Sequence, residues 1–265
     1  MSAPTKRKRL GQHFLTDPQT IDRIVRLINP SPDETMVEIG PGRGALTERL
    51  AGRTAEFHAI EIDPHLFGEI HRKMASESVQ IHHGDALSFD YGSLMSAGQG
   101  LRIVGNLPYS ISSQLIMRLL KFADGIKDLV FMLQREVALR LTAPCGSRHY
   151  GRLTVCVTRV MHVEMIFDVP PGAFSPPPEV QSTMIYMRPE EVTDTDSRTE
   201  EAFAALVRLA FSNRRKTLRN SLASPLGETH LAQCGIDPGL RAQNLTVGQY
   251  LRLAEYAISN NLDVR

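Results

Sequence analysis

The chain has 265 residues, 42% hydrophobic and 22% charged, ordinary figures for a globular protein of one large or two modest domains. They exclude a disordered chain, a coiled coil, a collagen and a disulfide-rich miniprotein. No run approaches the roughly 18 apolar residues of a membrane span, so no membrane partner is expected. The three cysteines (Cys145, Cys156, Cys234) are odd in number and far apart, which fits free thiols in a reducing compartment.

Lys6-Arg7-Lys8-Arg9 near the start is not followed by the apolar core of a secretory signal, and the short leader before Gln12 points to a bacterial cytoplasm. Asp17 and Pro18 open a helix over residues 17–29, with Ile21, Ile24, Val25 and Ile28 on one face. Short apolar strands then alternate with helices: strands over 36–39, 57–62, 79–82, 101–104 and 129–133, and helices over 45–50, to about 74, around 113–120 and over 135–141. This alternation predicts an α/β domain built on a parallel sheet with helices on both faces. Residues 151–160 read equally as strand or helix. Strands over 163–169 and 183–187 flank a stiff proline-rich loop, Val169 to Pro178. An acidic segment, with Glu190, Glu191, Asp194, Asp196, Glu200 and Glu201 against Arg198, reads as a linker. Helices are predicted over 202–211, 215–222 and 247–258. The expected organisation is therefore a catalytic domain over residues 1–189 and a small all-helical domain over 199–265, with no internal repeat. Between Arg208 and Arg241 stand six basic residues (those two, Arg214, Arg215, Lys216 and Arg219) against Glu228 and Asp237. Such a cluster is either a polyanion surface or a solvated face.

The strongest local signal is Val37-Glu38-Ile39-Gly40-Pro41-Gly42-Arg43-Gly44, a strand running into a glycine turn and a helix. Glycines permit close approach of a ligand at the carboxyl end of a first strand. The spacing departs from the dinucleotide fingerprint G-x-G-x-x-G. It looks like the turn of S-adenosylmethionine-dependent methyltransferases. Glu61, at the end of the second strand, is placed to accept from both hydroxyls of a ribose, with Asp63 a lesser candidate. Asp85, closing the third strand, suits the exocyclic amine of an adenine. His82 and His83 beside it lack partners at metal-ligand spacing, and no metal is expected.

Gly105-Asn106-Leu107-Pro108-Tyr109 follows the fourth strand directly. It resembles the Asn/Asp-Pro-Pro-Tyr/Phe signature of enzymes that methylate amino groups on bases. The lone pair of an adenine 6-amino group is delocalised into the ring. Two acceptors aimed at its N–H bonds, the Asn106 side-chain oxygen and a backbone carbonyl of a turn stiffened by Pro108, favour a pyramidal, more nucleophilic nitrogen. Tyr109 is suited to stacking on a flipped base.

The chain closely resembles the KsgA/RsmA family, which dimethylates two adjacent adenosines near the 3′ end of small-subunit (16S) ribosomal RNA. The likeness spans Gly11-Gln12-His13-Phe14-Leu15, Phe131 to Val137, Tyr150-Gly151-Arg152-Leu153-Thr154-Val155, Pro170 to Phe174 and Asn213 to Leu222. It implies a Rossmann-like fold, S-adenosylmethionine as donor leaving as S-adenosylhomocysteine, and the small ribosomal subunit as partner of a cytoplasmic monomer. It implies cofactor contacts from His13, Leu15, Gly40, Glu61, Asp85 and Asn106. It also implies catalytic roles for Asn106, Pro108 and Tyr109, a base-sandwiching role for Phe174, and RNA contacts from Arg214, Arg215, Lys216 and Arg219. Phe174 reads equally as a core residue under the proline loop. The runner-up within the class is the large-subunit methyltransferases of the Erm type; the alternative outside it is an assembly factor that binds RNA without catalysis.

Overall fold

The structure, a computed structural model, describes residues 12–95, 98–190 and 195–264. The basic Lys6–Arg9 run, Gly11, Glu191 and Asp194 lie outside these residues. The chain divides into two compact units, Met1–Ala138 with Met161–Pro189, and Leu139–Val160 with Glu190–Arg265.

The first unit runs β1 (Phe14–Leu15), α1 (Pro18–Ile28), β2 (Thr35–Ile39), α2 (Thr47–Leu50), β3 (Glu56–Glu61), α3 (Pro64–Lys73), β4 (Gln80–His83), β5 (Leu101–Asn106), α4 (Ser112–Leu119), β6 (Ile126–Gln134) and the start of α5 (Arg135–Leu141), whose last residues from Leu139 belong to the second. After an excursion into the second unit it resumes with β7 (Met161–Val169), β8 (Phe174–Ser175) and β9 (Ser182–Pro189). Helix α1 forms as its sequence dictates. The Asp17 carboxylate accepts from Thr20 N at 2.8 Å, Pro18 occupies the first turn, and Asn29 stops the helix in the left-handed region. Its apolar face joins Met36, Phe57, Val104, Val130 and Met132 in one core.

Seven strands form one sheet in the order β4-β3-β2-β5-β6-β9-β7. The first five are parallel, as the alternation predicts; β9 runs antiparallel to both β6 and β7. The parallel expectation thus gives way at β9, which runs against the other strands of this sheet, and β9 and β7 pair as antiparallel neighbours. They are joined through the proline-rich loop, and antiparallel neighbours need no crossover helix. The chain leaves β2 on one side and returns to β5 on the other, so the strand order reverses between them. Such a reversal opens a crevice at the carboxyl ends of strands. β2 and β5 pack with no spare room there: a Cβ on Gly105 would lie 2.4 Å from the Ile39 carbonyl oxygen.

At the opposite end of β5, buried Arg102 donates to both carboxylate oxygens of Asp128 at 2.8 Å each and to Glu34 at 2.9 Å. This pairing compensates charges that would otherwise be costly inside the protein. No helix among the described residues is long and apolar enough to cross a membrane.

The second unit is helical: α6 (Arg152–Thr158), α7 (Ser197–Ala210), α8 (Leu218–Ser221), α9 (Glu228–Gln233) and α10 (Val247–Ser259). The expected boundary at 189 coincides with the division after Pro189, but residues 139–160, expected in the catalytic domain, fall in the helical unit. Residues 139–160 belong to this unit because Tyr150 and Val155 join the core of Phe203, Leu206, Leu218 and Leu253. The buried Tyr150 hydroxyl donates to the Leu245 carbonyl at 2.9 Å. The ambiguous 151–160 segment forms helix α6. Helix α7 starts at Ser197, capped by Asp196, rather than at 202, so Glu200 sits in its first turn and pairs with Arg159 at 2.6 Å. The helix expected over 215–222 contracts to α8, leaving Arg214, Arg215 and Lys216 ahead of it in irregular backbone.

Replacing Gly105 with Ala forces β2 and β5 apart. A loss of about 1–3 kcal/mol in unfolding free energy is expected by chemical denaturation, since the clash is with backbone.

Candidate active site

A pocket opens at the carboxyl ends of β2, β3 and β5, lined among others by Gly40, Glu61, Asp85, Asn106, Pro108 and Tyr109. These expected residues meet as proposed from their motifs. His13 and Leu15 line it too. They arrive through β1, which pairs with β8 in the register Phe14 with Ser175 and Leu15 with Phe174. The Ala173 carbonyl accepts from Thr16 N at 2.9 Å, and His13 Nδ1 bonds the Pro176 carbonyl at 2.9 Å. The amino-terminal segment is thereby sewn to the proline-rich loop.

Gly42 holds φ at +55°, and a Cβ there would lie 3.2 Å from the Phe14 ring. A side chain would be strained in backbone and would displace β1. The turn's amides also have work: Gly42 N donates to Glu61 Oε2 at 3.2 Å, and Asp63 N donates to Glu61 Oε1 at 2.9 Å. Glu61 is thus buried and fixed, one edge of its carboxylate tied to the glycine turn. Burial pushes its carboxyl up, against these two N–H groups. Asp63, the lesser candidate, caps α3 instead, accepting from His65 N at 2.9 Å. Asp85 accepts from Leu87 N at 2.8 Å through Oδ1.

Glu38 is a residue to which the sequence reading assigned no role. It lines the pocket, fully buried, accepting from the Thr47 hydroxyl at 2.7 Å. Burial pushes its carboxyl up to about 7, opposed by the Thr47 hydroxyl and reinforced by the charge of Glu61. The signal was its strand position: an acid in a five-residue strand buried throughout has no solvent to face. Ile62 was also missed. It is 50% exposed and lines the pocket, an apolar side chain between two acids. Gln12 completes the set, its Oε1 buried without a hydrogen-bond partner.

The catalytic-turn residues are held from several sides. Asn106 Nδ2 donates to the His13 carbonyl at 3.2 Å. Only the NH2 edge of an amide can face a carbonyl, so this bond fixes which atom is which and leaves Oδ1 as the outward acceptor. Pro108 O accepts from Ile111 N at 3.1 Å and Tyr109 O from the Ser112 hydroxyl at 3.3 Å. The Tyr109 ring stacks on His13, centroids 5.9 Å apart.

Of the two readings of Phe174, the structure shows the core one: it is 4% exposed, packed with Leu15 and Met184, and not among the residues lining the pocket. Pairing of β8 with β1 places it there. The four basic residues belong to the second unit. Arg214 is partly engaged there, donating to the Arg148 carbonyl at 2.6 Å, whereas Arg215 and Lys216 are exposed.

The donor set selects its ligand chemistry. Three carboxylates at the carboxyl ends of the strands repel a diphosphate and attract a cation. Ribose hydroxyls, an adenine amine and an ammonium group would each find an acceptor, the last at the orphaned Gln12 Oε1. S-adenosylmethionine, cationic at sulfur and free of phosphate, fits these residues.

A family model described as Ribosomal RNA adenine dimethylase matches residues 3–259. The Ribosomal RNA small subunit methyltransferase A of a Burkholderia sp is 49% identical over 261 residues, covering 97% of this chain and 94% of that one. Its counterpart from Aromatoleum aromaticum is 45% identical over 256 residues, covering 97% and 96%. The crystal structure of the 23S rRNA methyltransferase ErmE is similar at a TM-score of 0.70 and 27% identity, covering 92% of this chain and 99% of that one.

Glu38 yields a pH prediction. Its carboxyl is raised in the folded state from an ordinary 4.5 to about 7, so the folded protein binds the extra proton. That contribution is complete below 4.5 and is lost as pH rises through about 7, on the order of 3 kcal/mol in all. Thermal unfolding of the ligand-free protein should show stability falling over this window, and Glu38→Gln should flatten the fall. Parallel curves for the two proteins would refute the assignment.

Proposed function

Because this chain belongs to the ribosomal RNA adenine dimethylase family, we infer that it transfers methyl groups from S-adenosylmethionine to the 6-amino groups of two adjacent adenosines near the 3′ end of small-subunit ribosomal RNA. The observation that carries this reading is the Asn106–Tyr109 turn, which shares one pocket with the glycine turn, Glu61 and Asp85 and has its amide oriented by His13.

The donor supplies an electrophilic methyl carbon on a sulfonium; the protein supplies position and acceptors. Glu61 takes the ribose hydroxyls, Asp85 the adenine amine, and Ile62 offers the adenine an apolar face. Gln12 and Glu38 flank the amino-acid end, with His13 and, from β1, Leu15 alongside. At the other substrate, Asn106 Oδ1 accepts one hydrogen of the target amine. The second acceptor is the Leu107 carbonyl, since those of Pro108 and Tyr109 are already engaged. Pro108 fixes the backbone of the turn, and the Tyr109 ring receives the flipped base. Positive charge developing on nitrogen is stabilised by these oxygens. The methylated amine is acidic enough to lose its proton to water, so no strong base is required. A second transfer requires that the grip on the amine tolerate one hydrogen replaced by methyl.

The small-subunit assignment is supported by relatives at 45–49% identity, against 27% for the large-subunit enzyme. Labelled methyl from the donor should enter unmethylated small subunits and not large ones; binding of small subunits without transfer would instead support a non-catalytic assembly role. Asn106→Ala should lower the single-turnover rate by about a hundredfold or more while affinity for S-adenosylhomocysteine holds within a few fold.

We assign Arg215 and Lys216 to phosphate contact, with Arg219 beside them. Arg214 serves additionally as a clamp on the Arg148 carbonyl. Arg215→Ala with Lys216→Ala should weaken small-subunit binding and lower its salt dependence by about two contacts. Arg214→Ala should also lower the melting temperature. Equal loss of donor affinity in the double variant would show the segment to be structural.

A further inference from the structure

We propose that Ser182 is a positioning residue for methyl transfer, acting through the hydroxyl of Tyr109. The proposal rests on the reading of Tyr109 as the surface that receives the target base.

Ser182 opens β9 and has no solvent exposure. Its backbone is paired on both sides, opposite Gln134 of β6 and Val169 of β7. A hydroxyl at an interior strand position is out of place unless it has a partner, because a buried polar group without one is costly. The next residue, Thr183, points to the opposite face of the sheet and finds Asp168 at 2.6 Å. Ser182 Oγ finds the Tyr109 hydroxyl at 3.1 Å. Tyr109 stands in the catalytic turn, after β5, and lines the pocket.

A tyrosine ring is placed by two side-chain torsions. Stacking on His13 at 5.9 Å limits the tilt of the Tyr109 ring, and the bond at its tip limits its swing. Ser182 is the firmer anchor, since the sheet holds it from both sides. A base stacked on a ring that swings by an ångström loses the in-line geometry on which methyl transfer depends. Serine fits this place by size as well. Alanine differs by one oxygen, so its substitution removes the bond and leaves the packing nearly unchanged.

The test is a double-mutant cycle on single-turnover methylation of unmethylated small subunits, with S-adenosylhomocysteine affinity and thermal unfolding measured on each protein. Ser182→Ala and Tyr109→Phe should each lower the rate by about three- to tenfold, the worth of one neutral hydrogen bond. The combined variant should be no slower than either, and ligand affinity should be unchanged in all three. Ser182→Ala at the wild-type rate, multiplicative losses in the double variant, or loss of ligand affinity in step with rate would each overturn the proposal. Tyr109→Phe, altered at a half-buried tip, keeps the test decisive if Ser182→Ala fails to fold: an unchanged rate there also overturns it. Absence of transfer by the wild-type protein would count against the function itself, a distinct result.

Discussion

The working end of this molecule depends on an amide pointing one way. Asn106 has two chemically opposite edges of nearly identical shape, and in isolation nothing favours either. The His13 carbonyl breaks that symmetry by taking the NH2 edge. That carbonyl lies beside β1, and β1 is held by its antiparallel pairing with β8. A residue near the start of the chain is thus placed by a loop some 160 positions further on, and the result is felt at the end of β5.

This arrangement explains what was legible in the sequence and what was not. Strands β2 to β6 and helix α1 announce themselves through local periodicity and caps, and the glycine turn and Asn106–Tyr109 are contiguous motifs. The pairing of β1 with β8 has no such signal, because two-residue strands carry no period and their contact is entirely long-range. Phe174 keeps two readings for the same reason. In sequence it is an aromatic after a proline pair; only the pairing places it in the core.

The membership of residues 139–160 is hidden by chain order. Residues 139–160 interrupt the first unit in sequence, yet their buried side chains belong with the helical core. The mixture of Val and Thr over 151–160 suits either strand or helix, and burial against α7 settles it as α6. Arg214 likewise looks like its neighbours in a basic run, while the fold commits its guanidinium to backbone carbonyls. Charge patterns count residues without distinguishing those already spoken for.

Glu38 and Glu61 have a consequence for the rhythm of a repeated reaction. Both carboxylates are sunk beside the same crevice, where burial raises each and the charge of Glu61 further disfavours ionisation of Glu38. A cation entering there relieves that strain; an electrically neutral guest of the same outline does not. Loss of the sulfonium charge on reaction would therefore loosen the hold on what remains. Two buried acids beside the crevice would then tell a loaded carrier from an emptied one.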